Sequence, residues 1–259
     1  MKAEKQKNRK TENRRQHPCL IFCFSVFLLF CFGPSLSASP EEVSALLAGL
    51  SSDSYTARQD ATERLLADDT LTPNTLSELF AESRSPEQRQ RLLAIAHHHL
   101  LRQHRQEHFD AADPQGCIGV QLEAVAPNQL ASLNRPAARV AATLPGFPAH
   151  GRLLPGDLIL MIDGRAFRRD TGTSPVTELT AHVLAQGAGK TVTLIVRRAN
   201  ESVTVTLPIA GRKALEAMYI ADVQGTSLAP DLLRRVVALR DQLLALTPPP
   251  RNLLLQPVS

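Results

Sequence analysis

The chain has 259 residues, 43% of them hydrophobic, and a formal net charge of +4, which leaves room for one or two domains with real cores. Residues 1–17 hold seven Lys and Arg against Glu4 and Glu12, a local charge of +5 that leaves the remainder at −1. This distribution argues against a basic surface for nucleic acid, because counterion release needs clustered Lys and Arg on the folded body.

In chain order, the basic segment leads into the apolar run Cys19 to Phe32, a Gly33-Pro34 breaker and the small residues Ser35 to Ser39. Basic, apolar, then small and polar is the order of a secretory signal, so residues 1–38 are expected to be a signal peptide cut near Ser37 or Ala38. The run of 14 residues is shorter than the roughly 20 that a spanning helix needs. The expected location is periplasmic or secreted; the alternative is an inner-membrane anchor through residues 19–36. Cys19, Cys23 and Cys31 lie in this run. Cleavage would leave Cys117 alone, unable to form an internal disulfide, so packing must hold the exported body together.

Residues 39–109 carry apolar positions at helical spacing: Leu46, Leu47 and Leu50, then Ala61, Leu65 and Leu66, then Leu76, Leu79 and Phe80, then Leu92, Ile95 and Leu100. Ser39-Pro40-Glu41 and Ser85-Pro86-Glu87 read as an N-cap, a proline at the first helical position and an acid in the first turn. The stretch Leu47 to Leu65, an aspartate turn before a helix bearing Arg58, Ala61 and Leu65, resembles a HEAT-type helical repeat. About two helix pairs predict a small bundle packed on its neighbour rather than a solenoid.

Beyond the linker 110–115, strands are expected over Cys117–Leu122 and Arg139–Thr143, separated by a long connection, Ala124 to Ala138. Pro155-Gly156-Asp157 can only be a tight turn. The apolar strand Leu158–Ile162 follows, closed by the hairpin dipeptide Asp163-Gly164. Ser174-Pro175 opens a helix with Val176, Leu179, Val183 and Leu184 on one face, ended by Gly187. Thr191–Arg198 and Val203–Ile209 alternate as a hairpin around Asn200-Glu201. An amphipathic helix is expected over Pro230–Leu246, with Leu232, Leu233, Val236, Val237, Leu243 and Leu244 as its apolar residues, before a loose tail.

The segment Gly151 to Gly164, with Pro148-Ala149 before it, is similar to the PDZ pattern Gly-Leu-x-x-Gly-Asp-x-Ile-Leu-x-Val-Asn-Gly, with Asp163 at the usual asparagine. The element order over Gly116 to Ala210 resembles the bacterial, circularly permuted members of that family. The resemblance implies an α+β fold class, in which a HEAT-like helical segment (39–109) precedes a PDZ-like, partly open β-barrel with a flanking helix (116–211), and a C-terminal helix and tail follow (212–259). It also implies a peptide site. The loop Cys117-Ile118-Gly119-Val120 would offer converging amides to a terminal carboxylate. Ile118 and Val120 would form one wall of an apolar pocket, and Leu179 and Val183 of the Ser174–Gln186 helix the other. A shift of one residue would bring His182 in instead. Each of these apolar residues, taken singly, reads more readily as core. The function expected from the resemblance is non-catalytic binding of peptide or protein C-termini by strand addition along Val120–Leu122, as an envelope adaptor with no cofactor, catalytic residue or metal.

Two other classes compete. His104-Arg-Gln-Glu-His108 matches the H-x-x-E-H pattern, which would make the chain a zinc metallopeptidase using His104, Glu107 and His108. His97-His98-His99 points three ways around a helix and, like the H-x-x-E-H stretch, reads as a solvated helix end. A scaffold reading has the groove filled by the chain's own Leu253–Ser259 tail or Pro230 helix. Gly187-Ala-Gly-Lys-Thr191 is not a phosphate loop, because Leu184 stands at the first required glycine and the order is helix to strand. No Gly-x-Ser-x-Gly nucleophile occurs, and Cys117 reads as a small buried hydrophobe.

Overall fold

Proline and hydroxyl caps set the helix starts in the first half of the chain. The computed structural model describes residues 40–109, 113–125, 135–168, 172–222 and 225–246; the expected signal segment and the tail lie outside these residues. Helices α1 (Pro40–Gly49), α2 (Tyr55–Ala67), α3 (Pro73–Glu82) and α4 (Pro86–Phe109) come first. Ser54 Oγ accepts the Ala57 N–H and Thr72 Oγ1 the Thr75 N–H. At α4, Ser85 Oγ accepts the Gln88 N–H while Gln88 Oε1 takes the Ser85 N–H, a reciprocal cap. Helix α1 packs on α2 and α3 on α4, and the two pairs stack. Leu50, Leu65, Leu79, Phe80, Leu92 and Ile95 form their shared core.

The second half is an antiparallel sheet. Its strands are β2 (Val120–Ala124), β3 (Ala138–Thr143), β4 (Leu158–Ile162), β6 (Thr191–Arg198) and β7 (Glu201–Pro208), in the order β2-β3-β4-β6-β7, with β5 (Arg165–Ala166) on β4. The fold is therefore α+β, with an open sheet whose edges are β2 and β7. Helix α5 (Pro175–Gln186) covers one face. It is capped by Ser174 Oγ on the Thr177 N–H and ended by Gly187 at φ 76°. Asp163 (φ 45°) and Gly164 (φ 74°) make the left-handed pair that a two-residue β4–β5 turn requires.

The Leu154–Asp157 turn has Gly156 at φ 94°. Asp157 Oδ2 accepts the Leu154 N–H at 2.9 Å. The same carboxylate, 2% exposed, accepts both Nε and Nη2 of Arg198, at 3.0 and 2.9 Å. Arg198 Nη2 also donates to the Arg152 carbonyl. The turn is thereby fastened to the end of β6 by a bidentate pair.

Three expectations need correction. The strand expected over Cys117–Leu122 is broken. Gly116–Cys117 (β1) leaves the sheet to pair with β8 (Ala210–Gly211), and β2 begins only at Val120. The break is forced at Gly119, which sits at φ 71° with a would-be Cβ 2.1 Å from that of Phe147. The β6–β7 turn is Ala199-Asn200, since Arg198 already pairs with Glu201 and Ala199 takes φ 53°. Residues after Gly211 hold more structure than expected: α6 (Arg212–Met218), the hairpin β9 (Tyr219–Asp222) with β10 (Gly225–Leu228), and α7 (Pro230–Ala245). Of the α7 residues expected to be apolar contacts, Leu232 and Leu243 are buried, but Leu233, Val237 and Leu244 face outward.

The helices dock directly on the β3–β4 connection. Gly146 (φ 84°) leaves only 2.7 Å between its would-be Cβ and that of Leu101, and Gly151 (φ 79°) leaves 2.7 Å to Leu66. His98 Nδ1 accepts the Gly146 N–H at 3.0 Å, and Arg105 Nε donates to the Gly146 carbonyl at 2.9 Å. The histidine run is thus no solvated helix end. His98 and His99 are buried, with His99 Nε2 2.8 Å from the Leu65 carbonyl and His98 stacked on His150. Burial, helped by the nearby His150, holds His98 down to about 2. Burial likewise lowers His99 to about 4 and depresses His150.

Gly146→Ala is expected to cost about 2–4 kcal/mol, from a left-handed backbone and an overpacked contact together, read as a lowered urea midpoint. Acid is a second probe of the same junction. The buried histidines stay neutral in the folded chain, whereas unfolded histidines take up protons below about pH 6.5. Stability is therefore full above that pH and is lost as pH falls towards 4, by about 1.4 kcal/mol per unit for each histidine involved. Thermal melts from pH 7.5 to 4.5 measure it, and His98→Asn should flatten the slope.

Candidate functional site

The cleft between β2 and α5 is built from a strand edge and a helix face. Strand β2 bonds to β3 on one side, and among the described residues no strand pairs with its other edge. Ile118, Val120 and Leu122 line one wall, Leu179 and Val183 the other, around a volume of about 100 Å³. That is room for several waters, or for one aliphatic side chain. Leu179 and Val183 are at the same time members of the sheet core, so both readings of these residues hold. They are core side chains whose outer edges form the wall. His182 lies elsewhere, with Nε2 2.7 Å from Asp163 Oδ2.

The loop at the cleft's end is shaped by what lies behind it. The Ile118 carbonyl accepts the Ala149 N–H and the Gly119 carbonyl the Leu144 N–H, so the loop is stitched to the β3–β4 connection through its oxygens. Cys117 contributes main chain to the cleft. Its side chain turns the other way, into a cluster with Leu101, Phe147 and Met218, and Sγ donates to the Gly211 carbonyl at 3.2 Å. Burial pushes its thiol up to about 12, against a smaller opposing pull from the charges of Arg105 and Arg212. At the C-terminal end of α5, Gly116 admits the Val183 carbonyl, which would lie 2.5 Å from any Cβ there.

Sequence reasoning missed Arg212 and Leu215, which close the same end of the cleft from α6. The only available signal was the run Arg212–Met218, composed of strong helix formers; nothing local says where such a short helix docks. The Pro230 helix, expected as a possible occupant of the groove, is placed otherwise. Leu243 of α7 joins the core of α1–α4, and Leu232 packs with Phe147 and Met218. The Leu253–Ser259 tail lies outside the described residues.

The histidines of the H-x-x-E-H stretch are one turn apart, their rings 4.3 Å between centroids. Arg235 Nη1 donates to His104 Nδ1 at 2.8 Å, which puts a cation on a lone pair that a metal would need. His108 Nδ1 lies 2.9 Å from the His104 carbonyl, and Gln103 Nε2 donates to Glu107. Among the described residues no group of three or more His, Cys, Asp or Glu side chains is placed to hold a metal ion.

No family model and no curated protein matches the chain. Among solved structures it is similar to an HtrA-type protease AlgW with decapeptide, at 27% identity, TM-score 0.31, covering 37% of this chain and 29% of that one. It is also similar to AlgW with tripeptide, at 25% identity, TM-score 0.32, covering 45% and 33%. A third is the PDZ domain of a carboxy-terminal protease from Vibrio cholerae in complex with peptide, at 19% identity, TM-score 0.27, covering 37% and 93%. The chain spans about a third of the length of the AlgW chains it matches.

The buried, protonated thiol makes Cys117 inert in the folded protein. Iodoacetamide at pH 8 should leave Cys117 unmodified while the chain is native and alkylate it fully in urea. Peptide mapping by mass spectrometry separates it from Cys19, Cys23 and Cys31.

Proposed function

We propose that this chain is a non-catalytic, exported PDZ-type protein that binds peptide or protein C-termini by adding them as a strand to β2. One observation carries the reading: an edge strand whose outer side no strand among the described residues pairs with faces a helix across a slot walled by Ile118, Val120, Leu179 and Val183. Main-chain bonds along Val120–Leu122 supply affinity that tolerates sequence, and the slot selects the last side chain.

The chemical groups that an enzymatic reading would use are otherwise engaged, Cys117 by burial and His104 by Arg235. The order of basic, apolar and small segments in residues 1–39 supports export. The stacked pairs α1/α2 and α3/α4 support the HEAT-like reading of the first segment, and an adaptor role follows from joining such a segment to a peptide groove.

The test uses the full chain and labelled peptides ending in Ala, Val, Leu, Asp or Lys. Aliphatic endings are expected to bind at least about tenfold tighter than charged ones, since burying an unpaired charge in the slot is costly. Hydrogen exchange should slow along Val120–Ala124 in the complex. Equal binding of all endings, or protection confined to other strands, would overturn the reading.

A further inference from the structure

The cleft is apolar along its length and carries one charge. Among the described residues lining it, Arg212 alone is of a charged type, and its helix start is joined to the segment before the Cys117–Val120 loop. This arginine belongs to α6, which lies outside the strands and helix that resemble a PDZ domain.

Its placement is rigid. The strand that carries the loop is tied to the start of α6 by the β1–β8 pairing, by the Cys117 Sγ bond to the Gly211 carbonyl, and by the Arg212 N–H bond to the Gln115 carbonyl at 2.9 Å. Asp113 bridges the same two segments from the other side. Its Oδ1 accepts the Gln115 N–H and its Oδ2 the Lys213 N–H, at 3.1 and 2.8 Å. Arg212 Nε donates to Glu216 Oε1 at 3.1 Å, one turn along the helix. That contact leaves the two terminal nitrogens of the guanidinium with no partner among the described residues.

Resting on the strand-addition reading above, we infer that Arg212 is the specificity-determining residue for the ligand's terminal carboxylate, which the guanidinium of α6 receives at the closed end of the cleft. The terminal nitrogens match the two carboxylate oxygens as a fork, and the low-dielectric walls strengthen the attraction. The partner is then an unmodified C-terminus with an aliphatic last residue, and free carboxylate is demanded by a residue of the C-terminal extension. Glu216 is the competing anion, and its greater exposure, 63% against 37% for Arg212, lets it yield to a ligand held inside the slot.

Fluorescence anisotropy on the full chain, with Val-ended peptides bearing a free or amidated terminus, tests this. The wild type is expected to prefer the free terminus at least about tenfold, the range of a hydrogen bond to a charged group. Arg212→Gln should weaken only the free form, bringing the ratio close to one, while Arg212→Lys keeps part of the preference. Unchanged thermal melts show that both variants fold. A free-to-amide ratio that survives Arg212→Gln overturns the assignment of Arg212 and leaves strand addition standing. Failure of the wild type to bind either form overturns the strand-addition reading itself and this assignment with it.

Discussion

The contact of Phe147 on Gly119 governs the rest of this structure. Phe147 is 1% exposed and occupies the space where any side chain at position 119 would stand. It forces the left-handed backbone that ends β1 and starts β2. On its other sides the same ring meets Leu101 of α4, Met218 of α6 and the Tyr219 ring, and Arg105 lies over it. Tyr219 is held in turn by its hydroxyl bond to the Pro145 carbonyl. One aromatic side chain thus sets the bend of the groove loop and the seat of three helical or strand segments behind it.

The sheet and the helices meet through backbone as well as through side chains. Glycines at 146 and 151 let Leu101 and Leu66 come against the β3–β4 connection, and His98 and Arg105 bond to both polar groups of the Gly146 backbone. This satisfies buried main-chain groups that have no strand partner. It also makes the helical layer a supporting wall for the loop behind the cleft. Helix α7 returns to that layer, since Leu243 packs among the residues of α1–α4. The chain's last described helix therefore braces its first ones.

The candidate site was legible where local chemistry decides it. Turn residues placed Leu154–Asp157 and Asp163-Gly164, a serine and a proline placed the start of α5, and helical periodicity put Leu179 and Val183 on one face; the pairing of His182 with Asp163 came only from the structure. Long-range pairings left no such trace. Nothing near Asp157 names Arg198, 41 residues away. Nothing near Gly119 names Phe147, and nothing near Cys117 names Gly211. The histidine run misled for the same reason. Polar residues on a helix read as solvated unless the partners that bury them, here Gly146, His150 and Leu65, are known.

Sequence alone determined the kinds and order of the main elements from α1 to β7, because caps, turn glycines and hydrophobic periods act over a few residues and need no distant partner, but not the short strands β1, β5 and β8 or the elements α6, β9 and β10. It determined the buried face of α5 and the breakers between helices for the same reason, but not the buried histidines of α4 or the outward Leu233, Val237 and Leu244 of α7. Tertiary structure alone decided that the strand before Val120 breaks, that the Cys117 thiol turns away from the cleft, and that Arg212 closes its end. Each of these depends on groups far apart in the chain meeting in space. The free energy of such a meeting lies in the fit between surfaces, which no local run of residues encodes.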